Sequence, residues 1–438
     1  MNKKKEHIVI IGNGISGITA ARGIRKQTDH TITVISAESD YFFSRTALMY
    51  VYMGHMKFEH IEPYEKSFWQ KNKIGLINAF VQKIETASKI INLDNGDSIP
   101  YDKLVIATGS RSNKFGWPGQ DLKGVMGLYS KQDLEYLEQY TKNCKGAVIA
   151  GGGLIGIEMA EMLHSRKIPV TLLVREKSFW GNILPTAESA MINRHIKEHH
   201  IDLRLSTTLK EILSDPDGNA RAVVTDKGET IGCQVVGLTA GVTPNIEFLQ
   251  GSGIELGRGV KVNRWLETNI ENVYAIGDCA EQHEPIDLRK PIEAVWYTGR
   301  IMGETVAQTI CGKRTAYEPG PWFNSAKFLD IEYQTYGWVW AVPRKNEEQF
   351  YWEHPNGKIA IRISYHRETR TFLGINCFGI RMRHEFFNKV LADHLTVDTV
   401  IRNLKRANFD PEFYHTHEKE IRAAFEKNHS ILTPANYG

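Results

Sequence analysis

The sequence predicts an α/β protein built around two copies of one strand–turn–helix–strand unit, with a separate α+β domain towards its C-terminal end. Three observations predict it. A glycine turn follows an apolar strand near the start of the chain, and the same arrangement returns about 140 residues later. Past Gly320 the character changes: four of the nine tryptophans fall between Trp322 and Trp352, among alternating strands and then polar helices.

Each element follows in chain order. Residues His7 to Ile11 form an apolar strand that Gly12 ends, and Ile15 to Gln27 has the spacing of a helix. The strand Thr31–Ile35 completes a βαβ unit. Asn95-Gly96, within Asn92–Asp97, is a hairpin turn, and Lys103–Ala107 is a further strand. The second unit begins with the strand Ala147–Ala150, turns at Gly151 and reaches its second strand at Val170–Val174. Later strands turn at Asp215–Asn219, and Pro319-Gly320-Pro321 marks where the last domain begins.

Composition bounds the function. At 438 residues the chain exceeds one ordinary core, so two to four domains are expected. It is 42% hydrophobic and 24% charged, without an apolar run long enough to span a membrane. A net charge of +3 is too mild to indicate nucleic acid. The lysines of Met1–Lys5 lead straight into a strand and a glycine turn, so no targeting segment is expected. The five cysteines are scattered, with no Cys-x-x-Cys pair, which fits a reducing cytoplasm better than a disulfide scaffold.

The first turn reads Gly12-x-Gly14-x-x-Gly17. The first glycine permits the tight turn, the second lets backbone approach a pyrophosphate, and the third lets helix and strand pack closely. The helix N-terminus supplies N–H donors to the anion. A single such turn also joins strand to helix with no ligand. Gly151-Gly152-Gly153-Leu154-Ile155-Gly156 repeats the spacing in the same context, and that coincidence points to two dinucleotides and two Rossmann-like domains. An acidic residue is expected about twenty residues further on, against the ribose. The first copy offers Ser36 and Glu38 there. The second offers Arg175 and Glu176, and two readings stand: Arg175 pairs with a 2′-phosphate, favouring NADPH, or it is simply solvated. Adjacent strand-end residues should face opposite sides, so only one of the two would select the nucleotide.

With these turns in place, the sequence resembles the FAD-dependent pyridine nucleotide–disulfide oxidoreductase superfamily. The nearest branch is that of NADH–rubredoxin reductases, ferredoxin reductases and nitrite reductase flavin subunits. Tyr101-Asp102-Lys103-Leu104-Val105-Ile106-Ala107-Thr108-Gly109 matches the strand ending in Ala-Thr-Gly that passes FAD. Thr268 with Val273-Tyr274-Ala275-Ile276-Gly277-Asp278 matches the second FAD motif, whose aspartate holds the ribityl chain. Ala240-Gly241-Val242-Thr243-Pro244-Asn245 matches the connection returning from the nicotinamide domain. Ser44-Arg45-Thr46-Ala47-Leu48 resembles a rubredoxin reductase segment, with the arginine near the diphosphate. By this resemblance Gly12, Gly14, Ser16, Gly17, Ser36, Glu38, Arg45, Val81, Ala107, Thr108, Gly109, Gly241, Gly277 and Asp278 line the flavin site. Gly151, Gly153, Ile155, Gly156, Glu158, Arg175 and Glu176 line the nicotinamide site, with Glu158 nearest the reacting ring. Alone, Glu158 reads equally well as a first-turn carboxylate complementing the helix dipole, and Asp278 as a helix N-cap.

The resemblance implies the second dinucleotide domain inserted in the first. The FAD domain would cover residues 1–115 and 245–320, the NAD(P) domain 116–244, and the α+β domain 321–438. It also implies hydride transfer from NADH or NADPH to FAD. What is missing narrows the branch. Disulfide reductases carry a Cys-rich helix soon after the first unit, and related oxidases one cysteine aligned with Arg45, yet Ile8 to Asn143 contains none. The ferredoxin reductase lysine after Leu-Ser is missing near Met49 too. Cys279 reads as a packed small residue. Electrons would therefore pass to a rubredoxin- or ferredoxin-like protein or a small-molecule acceptor. A flavin-based redox sensor with little turnover is the alternative, and a flavin-free scaffold a weaker one. His415, His417 and His384 read as polar helix surface rather than metal ligands. Trp338 and Trp340, with Tyr333 and Tyr336, read as strand core or a homodimer face.

Overall fold

The computed structural model describes residues 5–409 and 415–430. Met1 to Lys4, and residues 410–414 and 431–438 expected in the C-terminal domain, lie outside them.

Both βαβ units open a parallel five-stranded sheet. In the first, the strands run in the order Val273–Ala275, Lys103–Ile106, His7–Ile11, Thr31–Ser36, Ile74–Asn78. In the second the order is Asp202–Leu205, Val170–Val174, Ala147–Ala150, Val235–Leu238, Val125–Met126. The strand preceding each glycine turn has neighbours reached by opposite crossovers. Each turn therefore lies at a topological switch point, where a crevice opens beyond the carboxyl ends of the strands. Continuous apolar runs such as Ile8, Val9 and Ile10, fully buried, are what a sheet covered on both faces requires.

The helix after the first turn is Ile15–Arg25, two residues shorter than its spacing suggests. The N–H groups of Gln27 and Thr28 both bond the Ile24 carbonyl at 3.0 Å, which closes the last turn early. This helix packs on Trp296–Ile310 at close range, because Gly23 and Gly303 leave no side chains between them. A Cβ on Gly303 would lie 2.5 Å from the Ser16 carbonyl oxygen. The hairpin at Asn95-Gly96 and the turn at Asp215–Asn219 form as read, the latter closed by Asp215 N–H on the Asn219 carbonyl at 2.8 Å.

The third sheet is antiparallel, in the order Phe323–Phe328, Ile331–Gly337, Phe372–Phe378, Ala360–His366, Glu347–Glu353. One face carries Tyr336, Phe350, Ile363 and Phe372 against helices His384–Ala392, Val397–Arg402 and Glu418–Ser430. The other face sets Phe328, Tyr333 and Phe378 into one apolar core with Met159, Phe179 and Met191 of the second dinucleotide unit. Glu188, fully buried, joins that contact through Arg362 Nε at 2.8 Å and Asn376 Nδ2 at 3.1 Å. Among the described residues no helix is long and apolar enough to cross a membrane.

Candidate functional site

The two glycine turns have the same internal geometry. Gly12 has φ +111°, and a Cβ there would lie 2.1 Å from the Ala107 carbonyl oxygen. A Cβ on Gly17 would lie 2.1 Å from the Gly12 carbonyl oxygen, so the helix start cannot stand off from the strand. In the second copy Gly151 has φ +140° with Thr239 backbone 2.6 Å from the missing Cβ, and a Cβ on Gly156 would lie 2.1 Å from the Gly151 carbonyl oxygen. The middle glycines differ: above Gly14 and Gly153 nothing lies within 4 Å of a Cβ position. Those are two open cradles. Gly14 and Gly153 are also the N-caps of Ile15–Arg25 and Leu154–Ser165, with no side-chain cap bond and no acidic residue in the first turn. The first N–H groups of both helices are left to an anionic guest, as a pyrophosphate requires.

Around the first cradle, residues far apart in sequence converge. Arg45 forks onto Glu38, Nη1 to Oε1 at 2.8 Å and Nη2 to Oε2 at 2.6 Å. The same guanidinium bonds the Tyr129 carbonyl and lies 4.5 Å from the Tyr129 ring centre. The Tyr129 hydroxyl donates to Asp278 Oδ2 at 3.0 Å and accepts from the Ser110 N–H at 2.9 Å. Burial pushes the Asp278 carboxyl above its ordinary range, while the Tyr129 hydroxyl and the Arg45 charge pull it back down. Gly109 must be bare, since a Cβ would meet the Tyr129 hydroxyl at 2.9 Å. Thr108 donates to the Asn245 carbonyl at 2.8 Å, tying the Ala-Thr-Gly strand end to the segment after Gly241. Gly277 packs on Ser16, whose Oγ lies 2.4 Å from where its Cβ would be.

Other expected positions fall less directly. Glu38 is engaged: besides Arg45 it accepts the Lys131 N–H at 2.9 Å, and Ser36 Oγ accepts the Glu38 N–H at 3.3 Å. A carboxylate accepts about four hydrogen bonds, so capacity for a ribose hydroxyl remains. Val81 is 4% exposed within the core, so only its backbone can face a ligand. Asp278 caps no helix; it sits inside the short 3₁₀ turn Gly277–Cys279. Cys279 is buried there with its thiol towards the Ile276 carbonyl at 3.3 Å, a packed residue.

On the second side, Glu158 lies beyond the first turn of Leu154–Ser165, which holds no acidic residue, so the dipole reading of it fails. Burial, with the charge of Glu161 adding to it, pushes the Glu158 carboxyl up to about 7, and Lys327 opposes the shift. Lys327 comes from the third sheet and pairs with Glu161 at 2.6 Å. Arg175 and Glu176 do not face opposite sides: Arg175 Nη2 pairs with Glu176 Oε1 at 2.9 Å. The strand ends at Val174, so its alternation does not reach them. Arg175 is 77% exposed at its side chain and Glu176 21%, the latter held further by Asn182 Nδ2 at 3.1 Å.

The tail histidines lie at or just before helix starts. His384 is exposed at the start of helix His384–Ala392, as expected of polar surface, with its ring centre 4.6 Å from that of Phe323 in a tilted contact. His417 precedes its helix and groups with His354 and Glu420. Tyr333 and Tyr336 are buried core, whereas Trp338 and Trp340 form a partly exposed stack with Trp322, centres 5.2 and 5.3 Å apart. Sequence reasoning missed Tyr129 and Lys327, because nothing local marks residues whose contacts to Asp278 and Glu161 span 149 and 166 positions.

The model of the pyridine nucleotide-disulphide oxidoreductase family matches residues 6–308. Rhodocoxin reductase of Rhodococcus erythropolis is 30% identical over 335 residues, covering 73% of this chain and 76% of that protein. Rubredoxin-NAD(+) reductase of Acinetobacter baylyi is 32% identical over 282 residues, covering 63% and 72%. Among solved structures, an NAD-dependent persulfide reductase from A. fulgidus superposes with a TM-score of 0.85 at 22% identity, covering 97% of this chain and 84% of that one.

Proposed function

We propose, for a chain that belongs to the pyridine nucleotide-disulphide oxidoreductase family, an NAD(P)H oxidoreductase whose electrons leave FAD for an acceptor other than a protein thiol. FAD and a nicotinamide dinucleotide are its cofactors, and the two open cradles above Gly14 and Gly153 fit one each. When bound, that pair supplies hydride transfer from C4 of the nicotinamide to N5 of the flavin. The chain's own residues do the rest. The bare N-termini at Gly14 and Gly153 hold the two pyrophosphates. Asp278, kept in place by Tyr129, accepts from the ribityl hydroxyls, and Arg45 shields the diphosphate side. Glu158 stands beside the nicotinamide and orients it. The domain limits given above belong to the same reading.

One observation carries the acceptor half of the proposal. The segment Ile8 to Asn143 has no cysteine, and Arg45 lies where related oxidases place theirs, already committed to Glu38 and Tyr129. No disulfide joins the cysteines of the described residues, in keeping with a reducing compartment such as the cytoplasm. The relatives' names support a rubredoxin- or ferredoxin-like protein as the acceptor, with a small oxidant as the other candidate. The partly exposed tryptophan stack, with Arg289 at 5.2 Å from Trp322 and Arg344 at 3.9 Å from Trp340, offers the last domain an interface surface for an acceptor or a second subunit. Steady-state NADH oxidation with rubredoxin, ferredoxin and a quinone as acceptors tests it. Sustained turnover with one of them is expected. Reduction that stops at one flavin equivalent with every acceptor would instead identify a redox sensor.

A further inference from the structure

We propose a second site, unrelated to the nucleotides: a zinc-class divalent metal bound by His195, His199 and Asp330 where the second dinucleotide unit meets the third sheet. His195 and His199 are four residues apart at the end of helix Thr186–Glu198, so they share a face. Asp330 is in the turn between strands Phe323–Phe328 and Ile331–Gly337. The ligating atoms of all three lie within 4.8 Å of one another.

The proton positions argue for a cation. His199 Nδ1 lies 3.0 Å from the His195 carbonyl oxygen. A carbonyl only accepts, so Nδ1 carries the hydrogen, and in a neutral ring Nε2 is then a bare lone pair. That lone pair faces Asp330 Oδ1 at 3.4 Å. Two acceptors turned towards each other repel unless a cation lies between them. A backbone carbonyl taking the outer N–H is the support a metal-ligating histidine ordinarily has. His195 adds a second imidazole on the same carboxylate: it is 1% exposed and its Nε2 also approaches Asp330 Oδ1. Glu198 Oε2 stands 3.6 Å from its Nδ1, and Lys358 takes the outer Asp330 oxygen at 3.2 Å. Two imidazoles with one carboxylate select zinc, cobalt or nickel over magnesium or calcium, and water would complete the shell on the exposed Asp330 side. The bound metal would staple the nucleotide unit to the third sheet.

Chelator-treated flavoprotein, titrated calorimetrically with Zn²⁺ alone, tests this. His199→Asn and Asp330→Asn alter half-exposed or exposed side chains, and retained flavin absorbance would confirm their folds. His417→Asn is the control, altering the other histidine group. We expect a tight equivalent in the wild type and in His417→Asn, with a rise in Tm on loading. That equivalent should weaken by at least about tenfold, with the Tm rise lost, in His199→Asn and Asp330→Asn. No Zn²⁺ uptake by the wild type, uptake indifferent to His199 and Asp330, or uptake lost only in His417→Asn would each overturn the proposal. In the first case a proton shared between His199 and Asp330 satisfies the cluster.

Discussion

Replacing each middle glycine by alanine separates what the two cradles hold. Gly14 has φ −69° and Gly153 φ −107°, both open to any residue, and neither new Cβ would meet protein within 4 Å. Alanine is a poorer N-cap than glycine, but it lowers the entropy of the unfolded chain. The two effects offset to within about 1 kcal/mol. Apoprotein stability should therefore hardly change. A pyrophosphate seated on the bare backbone would be pushed off by the methyl and lose at least one charge-assisted bond, about 1.5–3 kcal/mol. That is roughly a 10- to 150-fold loss of affinity. Gly14→Ala should weaken FAD binding by this factor and spare the nicotinamide. Gly153→Ala should keep its FAD and need correspondingly more NAD(P)H to half-saturate flavin reduction. Flavin fluorescence titration and stopped-flow reduction read the two effects, with urea unfolding of the apoproteins alongside. Unchanged FAD affinity in Gly14→Ala, or FAD loss in Gly153→Ala, would refute the assignment of the turns.

Further outcomes follow from the same geometry. Glu176→Ala should free Arg175 for a 2′-phosphate and improve use of NADPH over NADH by roughly tenfold or more, the value of one charge-assisted bond; an unchanged ratio would remove this strand end from the ribose site. Arg362→Leu leaves Glu188 buried and unpaired, and should cost about 3–5 kcal/mol in urea unfolding. Glu158 has a folded pKa raised from 4.5 to about 7, so the folded state binds a proton that the unfolded chain lacks between those values. The corresponding stability is complete below 4.5 and lost as pH rises through about 7. Glu158→Gln should flatten the stability profile in that window, and an identical slope would show that the carboxyl titrates elsewhere.

How much of this was legible in the chain depends on the range of the interactions. Both glycine turns were readable because their requirements are local: Gly12 must reach φ +111°, and Gly17 must touch Gly12. Gly277-Asp278 was readable as a strand end facing a crevice, whereas Ala107-Thr108-Gly109 read alone as an ordinary strand terminus and gained its role only from the family resemblance. Tyr129 was not readable, since its role exists only once Arg45, Ser110 and Asp278 surround it. Lys327 arrives beside Glu161 from another sheet. Arg175 and Glu176 were misjudged because strand alternation was carried past Val174, where the strand ends. His417 acquires His354 and Glu420 only through the packing of the last helix.

The central claim, that electrons leave the flavin without a thiol relay, is tested most directly by counting them. Anaerobic titration of the purified protein with NADH, followed by flavin absorbance, should bleach the flavin fully at one equivalent per FAD. Alkylating the cysteines after anaerobic NADH reduction, then reoxidising the flavin, should leave that end point unmoved in a second titration. A second equivalent taken up per FAD, and lost after alkylation of the reduced protein, would reveal a redox-active disulfide and contradict the account.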